Sequence, residues 1–127
     1  NNGVAVRYTG EGNPHLNGLE LQILDSEHPM YANLDPRQYH GSVYGLVAAH
    51  RGYLRPVGEW NFQQVTMTGA RIKVELNGFT LLESDLSQVN ASTRERVKEI
   101  CFVVTFASFS PGSLTGRFNL RDIKIES

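Results

Sequence analysis

Hydrophobic and polar positions alternate along much of this chain with the two-residue period of half-buried β-strands. The clearest case runs from Gly18 to Asp25, where Leu19, Leu21 and Ile23 alternate with Glu20 and Gln22. The apolar set marks the buried face, so Glu20 and Gln22 project together from the other, about 7 Å apart. Leu24 interrupts the alternation, and a one-residue bulge there predicts Asp25 on the same polar face. Val4 to Tyr8 reads as a short strand before this one, and Ser42 to Ala48 as a strand after it. Asn61 to Thr68, Arg71 to Leu76 and Phe79 to Glu83 are three more in quick succession. Asn77-Gly78 separates the last two, the strongest local signal for a type I′ hairpin turn. Ile100 to Phe109 reads as a buried strand. Arg117 to Glu126 reads as the last, with a bulge near Arg121 and Asp122 where the apolar parity slips.

Between these runs lie two long loops. Ser26 to Gly41 has no clear periodicity, yet Tyr31, Tyr39 and His40 predict a packed loop, because disordered segments are poor in aromatics. Ala49 to Gly58 is the second, carrying His50, Arg51, Tyr53 and Arg55. Ser92 to Ile100 is the one helix candidate, with Ser92 and Glu95 spaced as a capping box. Many short strands with Gly- and Asn-rich turns define an all-β class. The expected architecture is an antiparallel β-sandwich with one short helix at most.

Composition narrows the function classes. The 127 residues fit one domain, 1–127, with an ordinary 40% hydrophobic and 20% charged content. A net charge of −1 with no block of like charge gives no reason to expect nucleic acid as a partner. No apolar stretch approaches the ~18 residues of a membrane span. The single cysteine, Cys101, excludes an internal disulfide and reads as a small core residue. Asn1-Asn2-Gly3 runs straight into a strand without an initiating methionine, which reads as a processed or excised product. Asn90-Ala91-Ser92 matches a glycosylation sequon, a short pattern that often arises by chance.

Candidate chemistry gathers around Glu20. Glu20, Gln22 and Asp25 form E-x-Q-x-x-D, which resembles a degenerate form of the E-x-D-x-x-E strand of laminarinase-type retaining glucanases. Retention needs two carboxyls about 5–5.5 Å apart. Here the middle residue is an amide and the last carboxylate is a methylene shorter, so a general base or a metal ligand suits Glu20 better. The same pattern also fits the solvated outer face of an edge strand. None of His15, His28, His40 and His50 has metal-ligand spacing, although His40 or His28 could join Glu20 in space. Trp60 reads either as core or as a sugar-stacking platform; Arg7, Tyr8, Tyr44 and Arg55 are candidates for a polar, aromatic cleft.

Several segments together resemble the 3-keto-disaccharide hydrolase domain family. They are Asn1 to Tyr8, Asn17 to Asp25, Gly41 to Gly45, Pro56 to Asn61, Gly69 to Gly78 and Phe118 to Ile125, in the family's order. The resemblance implies a concanavalin-like jelly roll, export to the periplasm or cell exterior, and action on glycosides whose sugar carries a 3-ketone. It also implies an opening strand before Asn1 that this chain lacks, which would leave a sheet edge open to homodimerisation. The family's C-terminal histidine-containing stretch has no counterpart in Phe102 to Leu114.

The implied chemistry needs a base, an enolate stabiliser and an acid. Glu20 is the candidate base or metal ligand. Arg7, His40 or a divalent metal ion held by Glu20 and His40 would stabilise the enolate, and Asp25 or Tyr44 would be the acid. Gln22 and Trp60 would help bind the carbohydrate. The competing reading is a jelly-roll module that binds carbohydrate without catalysis.

Overall fold

The computed structural model describes residues 1–8, 10–89 and 103–109. The predicted helix 92–100, the last strand 117–126, Cys101 and the sequon at Asn90 lie outside the described residues. Six strands are described: β1 (Asn2–Val6), β2 (Leu19–Ile23), β3 (Asn61–Thr68), β4 (Arg71–Leu76), β5 (Phe79–Asp85) and β6 (Val103–Phe109). All pairings are antiparallel. β1 and β2 form one sheet, and the second runs β5-β4-β3-β6. The described helical structure is one four-residue helix, α1 (Pro14–Asn17), and three single 3₁₀ turns.

The two sheets make a sandwich because their apolar parities face each other. Val6, Leu19 and Leu21 from the first sheet, with Val43, pack in one cluster with Val65, Met67, Ile72, Val74 and Leu82 from the second. Burying a side chain of this size contributes about 1.5–3 kcal/mol, so this interface stabilises the described sandwich substantially. A smaller cluster of Ile23, Leu76 and Leu81 closes one end.

The Asn77-Gly78 turn forms as predicted. Both residues have positive φ, 51° and 87°, as a type I′ turn requires. Asn77 also fastens the adjoining loop, its Nδ2 donating to Tyr53 O and to Oδ1 of the buried Asn61.

Three predicted features differ. The first strand, expected over Val4 to Tyr8, is Asn2–Val6 and ends before Arg7, whose φ is 54°. The strand expected over 42–48 is instead a tight reversal: Val43 bridges Leu21 on one side and Val47 on the other. Gly45, at φ 68°, carries the chain round between them. Nor does the pairing of β2 bulge at Leu24. It stops at Ile23, opposite Asn2, and Leu24 is buried beyond the strand end. Register irregularities lie instead between Asn61 and Gln63 of β3 against β6, and between Val74 and Glu75 of β4 against β5, where Leu81 is inserted and buried beside Leu82.

Candidate functional site

β2 runs between β1 and the 41–44 segment, so its outward side chains have neighbours on both sides. The Tyr44 amide donates to Glu20 O at 2.8 Å and the Gln22 amide to Ser42 O at 3.0 Å. That pattern sets Glu20 directly opposite Tyr44, and Gln22 opposite Ser42. On the other side, Glu20 faces Ala5 and Gln22 faces Gly3. Side chains directly opposite one another share a face. Glu20, Gln22 and Tyr44 therefore stand together on the face of β2 turned away from the core.

Gly3 is part of this arrangement. A Cβ there would overlap Glu20 Oε1, Cγ and Cδ, so the Glu20 side chain occupies the space that any other residue at position 3 would fill. A glycine inside a strand marks such close approaches. That signal was available in the sequence.

A wall for the face comes from the 26–41 loop. Asp35 caps a 3₁₀ turn (Pro36–Gln38), with Pro36 at its start and Gln38 completing a capping box. Asp35 and Arg37 form an exposed ion pair at 2.9 Å. The Arg37 side chain holds the Asp35 carboxyl down to about 2. Gln38 reaches the site twice. Its carbonyl accepts from Gln22 Nε2 at 2.9 Å, and its own Nε2 donates to the Tyr44 hydroxyl at 2.8 Å. Gln22, expected to project into solvent, is thereby covered, with only 2% of its surface exposed.

The other candidates fall elsewhere. Asp25 follows the end of β2, half-buried, with its carbonyl accepting from the His28 amide. Arg7 has a left-handed backbone (φ 54°) and donates from Nη2 to Gly69 O at 2.5 Å, tying the first sheet to the β3–β4 turn. Trp60 precedes β3, a strand of the other sheet, and is 47% exposed, so it is not core.

His40 is buried, its Nδ1 accepting from the Leu24 amide at 3.2 Å. An accepting Nδ1 carries no proton, so the neutral ring bears it on Nε2. Burial pulls the imidazole down to about 4, against a smaller upward effect from the Gln63 hydrogen bond. Gln63 shares the inward parity of Val65 and Met67, so His40 is engaged with the core whereas Glu20 points away from it. His40 therefore sits among interior groups, and Glu20 lies on the outward face of β2. No group of three or more His, Cys, Asp or Glu side chains able to hold a metal exists among the described residues. No helix among them is long and apolar enough to cross a membrane.

The fold is thus an all-β sandwich that carries a carboxylate, an amide and a phenol on one sheet face. The chain belongs to the 3-keto-alpha-glucoside-1,2-lyase-like domain family, whose model matches residues 1–122. A candidate glycosyl hydrolase from Parabacteroides distasonis, of known crystal structure, is similar to it. That protein has a TM-score of 0.63 and 32% identity, over 68% of this chain and 44% of that one. This chain thus spans less than half the length of that neighbour. Comparison with curated proteins gives no match.

Proposed function

We propose that this domain cleaves 3-keto-glycosides by elimination followed by hydration, with Glu20 as base and Tyr44 as acid. A 3-ketone acidifies the proton on C2. The Glu20 carboxylate takes that proton, and the C2–H electron pair passes into the enolate. Collapse of the enolate restores the ketone, forms the C1–C2 double bond and expels the C1 oxygen. That oxygen leaves with a proton from the Tyr44 hydroxyl. Water then adds at C1, passing a proton to the Tyr44 phenolate, while Glu20 returns its proton to C2, giving the 3-keto sugar and restoring both residues.

The observation that carries this reading is the pairing of Glu20 with Tyr44 on one outward sheet face of a chain in this family. Base and acid on adjacent, paired chain segments, about 5 Å apart at Cβ, suit a substrate whose C2 proton and C1 oxygen are on neighbouring atoms.

The test is product analysis after incubation with a 3-keto-disaccharide and its unoxidised parent, with and without chelator. Cleavage of the keto form alone, unaffected by chelator, supports the proposal. Saturable sugar binding without turnover by folded protein would replace it with a binding module.

A further inference from the structure

We propose that Gln38 is a positioning residue that fixes the direction of the Tyr44 hydroxyl proton. This rests on the elimination reading for its purpose, but on hydrogen-bond logic for its geometry. The Asp35 backbone amide donates to the Gln38 side chain at 3.1 Å. A backbone N–H can only donate, so the side-chain atom facing it is the carbonyl oxygen and the amide orientation is determined. The NH₂ end must then face Tyr44, which it meets at 2.8 Å. The phenol oxygen accepts there, and its single proton is directed away from Gln38.

Everything around Gln38 holds that orientation. The Gln38 amide donates to Asp35 O at 2.8 Å, and Asp35 Oδ1 accepts from the Arg37 amide at 2.9 Å. Arg37 braces the turn against the residue after Tyr44. Its carbonyl accepts from the Gly45 amide at 3.1 Å and its Nη1 donates to Gly45 O at 3.2 Å. The Gln38 carbonyl also takes the Gln22 side chain, so one residue orients the groups on both sides of Glu20. In the elimination, the Tyr44 proton passes to the departing C1 oxygen. The hydrogen bond donated by Gln38 stabilises the phenolate left behind.

The test is Gln38→Glu, which keeps shape and still accepts from the Asp35 amide. Its ionised carboxylate cannot donate to Tyr44, so the phenol must turn and donate to it. The tyrosine Raman doublet, taken as a difference against Tyr44→Phe, reports whether a phenol oxygen accepts or donates. The expected result is a change of Tyr44 from acceptor to strong donor, with kcat for a 3-keto-disaccharide falling roughly tenfold or more and KM nearly unchanged. Gln38→Leu, which removes the donor without adding charge, should abolish the acceptor signature and lower kcat in the same way. An unaltered Tyr44 signature in both variants would overturn the proposal, as would a changed signature with unchanged kcat. If the unsubstituted protein cleaves no 3-keto-glycoside, the elimination reading fails by itself, and the Raman comparison still decides the geometry.

Discussion

Glu20 and Tyr44 stand directly opposite one another on adjacent chain segments, joined by a 2.8 Å bond from the Tyr44 amide to the Glu20 carbonyl. Neighbours fixed by backbone pairing hold their separation better than residues brought together by loops. The pair is the centre of the proposed chemistry, and substitutions at and around it have distinct expected effects.

Glu20→Gln preserves the shape of the site and removes its base. Turnover of a 3-keto-disaccharide should fall by roughly 10²-fold or more, the usual contribution of a positioned general base, with an unchanged circular dichroism spectrum. Full turnover by the folded variant would end the assignment.

Gly3→Ala tests the same carboxylate from the neighbouring strand. The new methyl would displace the Glu20 side chain, which is flexible enough to move. Activity should drop while the melting temperature changes little. Equal losses of activity and stability would instead mean that the backbone of β1 had shifted.

His40 should make stability pH-dependent in a defined window. Its imidazole titrates at about 4 when folded and near the ordinary value of 6.5 when unfolded. Between those values the unfolded chain binds more protons, so stability rises with pH there. The contribution is complete above about 6.5 and is lost as pH falls towards 4, on the order of 3 kcal/mol in all. Urea denaturation at pH 7 and pH 5 should show a difference that shrinks in His40→Gln. An equal difference in both proteins would exclude His40 as its source.

Asn61 is fully buried and accepts from the Arg55 amide and from Asn77 Nδ2, both at 2.9 Å. Asn61→Ala removes the acceptor for both donors, at a cost of about 1–3 kcal/mol. Urea denaturation measures it directly. A loss below half a kilocalorie would mean that water replaces the side chain.

Trp60→Ala should change stability by no more than about 0.5 kcal/mol, as for most exposed positions, and leave KM within about twofold. Tyr44→Phe, on the Glu20 face, should lower kcat sharply. A large rise in KM for Trp60→Ala would place the sugar on the other sheet.

The sequence by itself determined the strands β2 to β6, the Asn77-Gly78 turn and the outward parity of Glu20. These follow from local rules: a two-residue period fixes which side chains share a face, and positive φ fixes which residues can turn. Only the tertiary structure decided what covers each face. The alternation puts Gln22 beside Glu20 but cannot show that the 36–38 turn returns to bury it. Nor does it show that Tyr44, rather than Asp25, stands across from Glu20. His40 is polar in sequence, yet the Leu24 amide and Gln63 hold it in the interior. These outcomes depend on contacts between segments many residues apart, whose geometry no local period encodes.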